Sequence, residues 1–185
     1  MFKILGLLNW IKEMLLGMKL LGKLSMHMNK KIQINFFCKS NHWSRRMEKI
    51  TKIAQKIIKI HDLNFKKNNF YVLNLVFVDD KNIRKINKKY RQKNKTTDVL
   101  TFVNSIKNNK NINEYYCDIF FSAETIKKDA KQNNVNFYDH ITHLMIHCFL
   151  HVNGYDHKKE TDFIKMKNLE DKILMKFDLE SPYLA

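Results

Sequence analysis

The stretch YDHITHLMIHCFLHVNGYDH, residues 138–157, carries the pattern from which the fold and the candidate site are read. Its many apolar residues predict a helix that runs from residue 138 to Gly154. Residues four apart lie one turn apart on the same helical face, so His147 and His151 can direct both imidazoles at one ion. Gly154 tolerates a positive φ and can end the helix in a left-handed cap. The chain then turns back, and His157 can complete a face of three ring nitrogens.

Three histidines with one open coordination position are typical of catalytic zinc sites, in which water fills the open position. Zinc lowers the pKa of that water from 15.7 to about 7, which supplies a hydroxide nucleophile at neutral pH. Two histidines at this spacing would be weak evidence, but the turn glycine and the third histidine make the pattern strong. We therefore expect one Zn²⁺ per chain, bound by His147, His151 and His157.

The residue after the first histidine separates this pattern from that of the zinc peptidases. In their H-E-x-x-H-x-x-G-x-x-H motif, the glutamate at that position is the general base. Here the position holds Cys148, so peptide hydrolysis is disfavoured. As the next residue on the helix, Cys148 points about 100° away from His147. We expect it to be a small core residue rather than a fourth metal ligand.

Two residues beside the motif have roles that the sequence leaves open. His143 lies one turn before His147 and could line the same cleft, or it could be a core or rim histidine. Asp156 could orient an imidazole, since zinc-bound histidines commonly donate their other N–H to a carboxylate or carbonyl. It could equally be a turn residue that caps the loop.

A second informative stretch is YRQKNKTTDVLTF, residues 90–102. Arg91 at a predicted helix end can form bidentate hydrogen bonds with phosphate oxygens. Thr97 and Asp98 at the start of the next strand could hold the loop in place. Neighbouring lysines would attract a nucleic-acid backbone: Lys88, Lys89, Lys93 and Lys95. Alone, the stretch would be a solvated basic turn without a function, but beside a hydrolytic metal site we favour phosphate binding.

The rest of the chain alternates between strand and helix patterns. Strands are predicted at 31–37, 70–80, 97–103 and 115–122, with a polar loop at 104–114. Further helices are predicted at 44–61, 80–92, 122–134 and 159–177, with Ser44 and Ser122 as candidate N-caps. These patterns predict a mixed α/β fold.

The composition indicates one globular domain with a strong positive charge. The chain has 185 residues, of which 44% are hydrophobic. Its net charge of +16, from 34 Lys+Arg against 18 Asp+Glu, favours polyanionic partners such as nucleic acid. A drift toward AT-rich codons would also raise the lysine content, so the charge permits RNA binding without proving it. Three cysteines without a CxxC pair suggest a reducing compartment.

The first 27 residues differ from the remainder of the chain. They are rich in Leu, Met, Phe and Trp, but charged residues interrupt any apolar run long enough to span a bilayer. We therefore expect no stable membrane insertion. A cleavage site for secretion is not evident. We expect residues 1–27 to be an amphipathic or unstructured N-terminal extension, with Met26 or Met28 as an alternative start, and residues 28–185 to be the catalytic domain.

The motif HCFLHVNGYDH, residues 147–157, resembles the H-G-x-L-H-L-x-G-Y-D-H motif of the bacterial YbeY-type rRNA maturation factors, which are zinc-dependent endoribonucleases. NKKYRQKNKTTDVLTF, residues 87–102, is similar to that family's N-x-x-Y-R-x-K-D-x-P-T-D-V-L-S-F. CDIFFS, residues 117–122, is similar to its G-D-I strand that ends in serine. The resemblance extends from about residue 31 to the SPY at 181–183.

The resemblance implies a single small α/β (α+β) domain with a mixed sheet, flanking helices and a cleft like that of zinc hydrolases. It implies that His147, His151 and His157 are zinc ligands and that Arg91 is a functional residue. The implied activity is the cleavage of single-stranded RNA in the maturation of the 3′ end of 16S rRNA and in ribosome quality control. The implied partners are rRNA, the small ribosomal subunit and its assembly factors, in the cytoplasm.

Three departures from the family pattern leave these residues in place. Cys148 and Cys117 replace glycines, and Thr96 replaces a proline. Two other functions stay open on the sequence. One is a different zinc hydrolase, such as a peptidase or amidohydrolase. The other is a non-catalytic ribosome-associated protein with structural zinc, in which Cys148 or His143 would complete a closed shell.

Overall fold

A computed structural model describes residues 19–26, 31–63, 65–66, 68–107 and 113–181. The strands are β1 (Lys19–Met26), β2 (Lys31–Cys38), β3 (Phe70–Val78), β4 (Val99–Lys107) and β5 (Asn113–Ser122). The α-helices are α1 (Met47–Ile58), α2 (Asp80–Arg91), α3 (Ala123–Gln132), α4 (Phe137–Val152) and α5 (Glu160–Leu174). Short 3-10 helices cover Asn41–Arg46, His61–Leu63 and Met175–Phe177. None of the helices in the described ranges has the length and hydropathy needed to cross a bilayer.

The strands form one mixed sheet in the order β1-β2-β3-β5-β4. The three central strands run parallel to one another, and β1 and β4 are antiparallel to their neighbours at the two edges. Parallel neighbours need a crossover, and α1 supplies the one between β2 and β3. The structure therefore confirms the expected α/β fold with a mixed sheet and flanking helices.

The larger core lies on one face of the sheet, against α1, α3, α4 and α5. Side chains alternate along a strand, so Leu73, Leu75 and Phe77 of β3 all point to this face. They belong to the same buried cluster as Ile50 of α1 and Phe149 of α4, and all five are 0% exposed. This cluster fixes α4, the helix that carries the histidines, on the sheet.

A smaller core on the opposite face holds α2 in place. Val76 and Val78 of β3 form a buried cluster with Ile83 and Ile86 of α2. The end of β3 is consequently buried on both faces, which explains its uninterrupted apolar run. The last residue of α2 is Arg91, so this packing also sets where the predicted phosphate-binding residue leaves the helix.

Helix α4 is apolar around most of its circumference. Asn136 caps it, because its side-chain oxygen accepts a hydrogen bond from the backbone N–H of Tyr138 at 2.8 Å. Nine of its residues are buried: Ile141, Thr142, Leu144, Met145, Ile146, Cys148, Phe149, Leu150 and Val152. Its partly exposed stripe, at spacings of three and four residues, consists of His140, His143, His147 and His151. A row of imidazoles therefore follows one face of a buried helix.

The prediction that Ser44 caps the first helix is wrong. Ser44 lies inside the 3-10 helix Asn41–Arg46, where its hydroxyl donates to the Asn41 carbonyl at 2.9 Å, and α1 begins at Met47. The side chain of Ser40 caps the 3-10 helix instead. The 3-10 turn before α1 has no apolar periodicity of its own. The predicted helix therefore included residues 44–46, which belong to this turn.

Ser122 precedes α3 as predicted, but its side chain does not cap the helix. Its hydroxyl donates to Oδ1 of Asp80 at 2.5 Å, which links the end of β5 to the start of α2. The predicted loop at 104–114 is also shorter than expected, since β4 extends to Lys107 and β5 begins at Asn113. Val103, Ser105 and Ile106 of this edge strand are exposed, so the end of β4 has no alternation of buried and exposed side chains that a sequence pattern could reveal.

Part of the expected N-terminal extension belongs to the sheet. Lys19–Met26 forms β1 and pairs antiparallel with β2, with Met26 opposite Ile32. These eight residues are therefore neither an amphipathic helix nor unstructured, because they supply hydrogen-bond partners to the outer edge of β2. The other residues of the extension, 1–18 and 27, lie outside the described part of the chain.

Candidate metal centre

The turn after α4 has the backbone conformation that the sequence predicts. Gly154 has φ of 88°, and its N–H donates to the His151 carbonyl at 3.0 Å. The N–H of Tyr155 donates to the Leu150 carbonyl at 3.1 Å. These two bonds define a Schellman motif with glycine at its left-handed position. The chain reverses here and returns to the histidine face of the helix.

The reversal brings the three predicted histidines together. The ring centroid of His157 lies 5.4 Å from that of His147 and 5.0 Å from that of His151, which are themselves 4.6 Å apart. One ring nitrogen of each lies within 4.8 Å of the others. His147 and His151 are partly buried and His157 is exposed, so the group opens to solvent on one side.

The hydrogen-bond partners assign the free nitrogen on two of these rings. Nδ1 of His151 lies 2.9 Å from the carbonyl oxygen of Tyr155, which can only accept, so Nδ1 carries the proton. Nδ1 of His147 lies 3.1 Å from Oε1 of Glu170 and donates to that carboxylate. When both rings are neutral, each Nε2 atom therefore has a lone pair that is free to bind a metal ion.

The two Nε2 atoms lie 3.1 Å apart, which fits the geometry of metal ligands. Two lone pairs at this distance repel each other unless a cation lies between them. Nitrogen ligands placed 2.0–2.1 Å from a tetrahedral ion are about 3.3 Å apart. Burial and the neighbouring His147 also lower the pKa of His151, which favours the neutral ring that a metal needs. The residues present can hold a metal ion.

Glu170 of α5 supports this group through His147, and it was not among the predicted site residues. Its side chain is 0% exposed. Burial alone would raise the pKa of its carboxyl, but hydrogen bonds from His143 and His147 lower the pKa to about 2. Glu170 is therefore ionised at neutral pH and holds His147 in the tautomer with Nε2 free.

A signal for Glu170 is present in the sequence. In α5 the buried residues are Met166, Glu170, Ile173 and Leu174, which follow the helical spacing of an apolar face. A carboxylate at such a position is almost never buried without a partner. That rule predicts a buried cationic or hydrogen-bonding partner, although it does not identify His147.

His143 lies beside Glu170 rather than in the three-histidine group. Its Nε2 atom is 3.4 Å from Oε1 of Glu170. One donor atom each of His143, His147 and Glu170 also lie within 4.8 Å of one another, so His147 belongs to two potential ligand sets. Of the alternatives that the sequence left open for His143, the structure supports a position next to the three-histidine group.

Cys148 faces the core, as expected. It is 0% exposed, and burial raises the pKa of its thiol to about 12. A protonated thiol on the far side of the helix is not a ligand for the histidine group. Cys117 is likewise 0% exposed in the larger core. Both substitutions for glycine are accommodated as core packing.

Of the two alternatives for Asp156, orienting an imidazole or capping the turn, the structure supports the second. Its Oδ1 accepts from the backbone N–H of His157 at 2.8 Å, and its Oδ2 lies 2.7 Å from Nζ of Lys158. These contacts fix the backbone that presents His157, and Asp156 accepts no hydrogen bond from an imidazole in the described ranges.

The side chain of Arg91, the last residue of α2, contacts β4. Its Nη2 donates to the carbonyl of Thr101 in β4 at 3.5 Å, and its Cζ lies 5.8 Å from the ring centroid of Phe102. The side chain of Thr101 is in turn hydrogen-bonded to the Cys148 thiol of α4. The described contacts include no hydrogen bond between Arg91 and the three histidines, and the exposed guanidinium keeps most of its donors available.

The basic loop after Arg91 is held at both ends. Gln92 has φ of 58° and ends α2, and the buried Asn87 donates from Nδ2 to the Lys95 carbonyl at 2.8 Å. Oδ1 of Asp98 accepts from the Thr97 hydroxyl at 2.9 Å and from a backbone N–H at 2.7 Å. These side-chain bonds stay within residues 97–99, and the link to the rest of the fold is the Ser122 N–H, which donates to the Asp98 carbonyl at 2.8 Å.

The fold and the site together define the class of protein. It is a small α/β protein with a three-histidine group that can bind a metal ion and is open to solvent. A basic loop after Arg91 leads into β4, whose Thr101 contacts the histidine helix. The group has three side-chain donors and no fourth among the described residues, which is typical of catalytic rather than structural metal sites.

The chain belongs to the Endoribonuclease YbeY family, whose sequence profile matches residues 35–178. An Endoribonuclease YbeY from Agrobacterium fabrum is 41% identical over 112 residues, which are 60% of this chain and 67% of that one. The Endoribonuclease YbeY of Bartonella henselae is 34% identical over 155 residues, 82% of this chain and 97% of that one. That of Buchnera aphidicola is 34% identical over 160 residues, 85% of this chain and 99% of that one.

A solved structure also matches the chain. The solution structure of TM1509 from Thermotoga maritima superposes with a TM-score of 0.48 at 21% identity, and the match covers 80% of this chain and 91% of that one.

Proposed function

We propose that this chain, an endoribonuclease of the YbeY family, cleaves single-stranded RNA with a zinc ion bound by His147, His151 and His157. The observation that carries the proposal is the 3.1 Å separation of the His147 and His151 Nε2 atoms, both left unprotonated by their Nδ1 partners. The third ring completes the group from the other side of the Gly154 turn.

Zinc is the ion that this donor set favours. Neutral imidazole nitrogens suit Zn²⁺ better than Mg²⁺ or Ca²⁺, which prefer oxygen ligands. When bound, zinc supplies a Lewis acid that lowers the pKa of a coordinated water and offsets negative charge on a phosphate oxygen. Glu170 holds His147, the Tyr155 carbonyl holds His151, and the His157 backbone is held by Asp156.

We assign the binding of the scissile phosphate to Arg91. Its guanidinium can donate in a bidentate manner to phosphate oxygens and offset the charge that grows there in the transition state. The exposed lysines of the same loop, Lys93 and Lys95, attract the RNA backbone without sequence preference. The net charge of +16 acts in the same direction.

The more specific parts of the proposal rest on the likeness to the family. They are a preference for single strands, maturation of the 3′ end of 16S rRNA with a part in ribosome quality control, contact with the small ribosomal subunit and its assembly factors, and a cytoplasmic location. The domain boundary at residue 28 is a proposal of the same kind, although β1 pairs with the sheet across it.

The test of the metal centre measures zinc content and cleavage of single-stranded RNA in the same preparations. We expect His151→Ala to lose both. His61→Ala removes an exposed histidine from a 3-10 helix outside the site and is the matched control. Wild-type zinc content together with wild-type cleavage in His151→Ala would end the proposal.

The test of Arg91 separates phosphate binding from metal binding. We expect Arg91→Ala to keep its zinc and to lose cleavage, with Arg45→Ala, at an exposed position in the 3-10 helix before α1, as control. Loss of zinc in Arg91→Ala would make the residue structural. Zinc retained in His151→Ala through a closed set that includes His143 would support the non-catalytic alternative.

A further inference from the structure

A second group of potential ligands lies apart from the three-histidine centre. One ligand atom each of Asp98, Asp129 and His140 lie within 4.8 Å of one another. They come from three elements, because Asp98 immediately precedes β4, Asp129 lies in α3 and His140 lies in the first turns of α4. His140 precedes His147 by about two helical turns, or roughly 10 Å, so the two groups do not share an ion.

The chain has 34 Lys+Arg, yet no lysine or arginine in the described ranges forms an ion pair with Asp98 or Asp129. Oδ1 of Asp98 accepts only from neutral donors, the Thr97 hydroxyl and the Val99 N–H. Burial and the neighbouring charge of Asp98 raise the pKa of Asp129. His140 and Lys128 lower that pKa by smaller electrostatic effects, so the cationic surroundings offset only part of the repulsion between the two carboxylates.

His140 of this group adds a second observation, on one of its two ring nitrogens. Its Nε2 atom is buried and has no hydrogen-bond partner. Burial, followed by the neighbouring His143, lowers the pKa of His140, which favours the neutral ring. No hydrogen bond joins His140 to either carboxylate within the described part of the chain, although their ligand atoms are within 4.8 Å. A buried polar atom without a protein partner is rare and calls for a water molecule or an ion as its partner.

We propose that Asp98, Asp129 and His140 bind a divalent cation of the first transition row, with Mn²⁺ as the probe that identifies the site. Two carboxylate oxygens and one imidazole nitrogen are donors that such ions accept, whereas the all-nitrogen centre favours zinc. The ion neutralises both carboxylates and gives the His140 ring its partner. Water completes the coordination shell.

The position of this site gives the ion a structural effect on the candidate active centre. Asp98 ends the basic loop that follows Arg91, and His140 lies on the helix that carries His147 and His151. An ion bound here joins the loop to that helix through α3. The proposal does not depend on RNA cleavage, and its test uses metal binding alone.

The test uses the full-length chain with His147→Ala as background. That change leaves incomplete both the three-histidine group and the group of His143, His147 and Glu170. We expect it to bind one Mn²⁺ per chain, measured by the loss of the free-ion signal in electron paramagnetic resonance. Adding Asp129→Asn or His140→Ala weakens this binding about tenfold or more. Asp139→Asn, an exposed carboxylate on the same helix, leaves it unchanged.

Two results would overturn the proposal. One is the absence of Mn²⁺ binding in the His147→Ala chain. The zinc-loaded wild type checks this result, because it should take up one Mn²⁺ in addition to its zinc. The other is equal Mn²⁺ affinity with and without Asp129→Asn. If His140→Ala impairs folding, as judged by circular dichroism, Asp129→Asn decides, because it replaces one oxygen and keeps the shape of the side chain.

Discussion

Nδ1 of His147 in α4 and Oε1 of Glu170 in α5 lie 3.1 Å apart, which joins the two helices at the candidate metal centre. Glu170 is 0% exposed, so its charge is kept in the interior by its histidine partners. The helix α5 is thus more than a cover for the apolar side of α4. It fixes the tautomer and the orientation of a proposed zinc ligand.

Replacing Glu170 is expected to weaken zinc binding without removing a ligand. In Glu170→Ala the His147 Nδ1–H loses its acceptor, so the zinc affinity falls about 10- to 100-fold, as measured by competition with a chromophoric chelator. Glu170→Gln keeps an acceptor, so its zinc affinity should fall less. The control is Glu160→Gln at the exposed start of the same helix. Unchanged affinity in Glu170→Ala would show that His147 is oriented without it.

The positive φ of Gly154 is expected to limit which residues the turn accepts. A Cβ at this position meets no atom within 4 Å, so the cost of Gly154→Ala is backbone strain alone. We expect about 1–2 kcal/mol of lost stability in chemical denaturation, together with weaker zinc binding through displacement of His157. Gly154→Asn should lose less, since asparagine tolerates left-handed backbone. Equal effects of the two variants would contradict this account.

Zinc is expected to stabilise the folded chain through the three histidines. Binding to the folded state alone stabilises it by about 4 kcal/mol at a free zinc concentration 1,000 times the Kd. Thermal unfolding of chelator-treated protein should therefore shift upward on zinc addition. The shift should be absent in His151→Ala and intact in His61→Ala. A full shift in His151→Ala would place the zinc elsewhere.

Arg91 is expected to contribute one phosphate contact to RNA binding. The dependence of the logarithm of affinity on the logarithm of salt concentration should become shallower by about 0.7 in Arg91→Ala, the value for one contact to a single strand. Fluorescence anisotropy with a labelled single-stranded RNA between low and moderate salt measures this slope. Arg45→Ala is the control, and an unchanged slope in Arg91→Ala would remove the phosphate contact from the proposal.

Stability is expected to fall as pH rises through 6 because of Asp118. This residue of β5 is 2% exposed and accepts from Asn74 Nδ2 at 2.7 Å, and burial raises its pKa from 3.8 to about 6. The raised pKa means that its contribution is complete below pH 3.8 and is lost progressively as pH rises from there through about 6. The difference between the two values corresponds to roughly 3 kcal/mol at pH 7 as an upper limit.

The variant Asp118→Asn tests this directly, since asparagine keeps the acceptor for Asn74 and does not titrate. In urea denaturation it should match the wild type near pH 4 and exceed it at pH 7. Asp139→Asn on the exposed surface of α4 controls for the loss of one charge. A constant difference between the Asp118 variant and wild type at all pH values would point to packing instead.

Much of the fold could be predicted because strands and helices here have distinct periodicities. The run FYVLNLVFVDD became β3, and the helices α1 to α5 fall where the spacing of apolar residues places them. The elements that were missed lack such a pattern. The 3-10 turn before α1 has no stripe of its own, and β1 is identified only by its pairing with β2.

The site was predictable where its chemistry is local in sequence. His147, His151 and His157 lie within eleven residues, and one helix and one glycine turn bring them together. Glu170 and the group of Asp98, Asp129 and His140 depend on packing between separate elements. A spacing rule along one chain segment cannot state which helix lies beneath another, so those contacts required the structure.

The pairing of β1 with β2 has a consequence for shortened forms of the chain. Without residues 19–26, β2 would become an outer strand with a row of unbonded N–H and C=O groups, a template for adding strands from other molecules. A chain translated from Met28 would therefore lack the eight residues of β1 and should self-associate. Light scattering would show this as an increase in particle size.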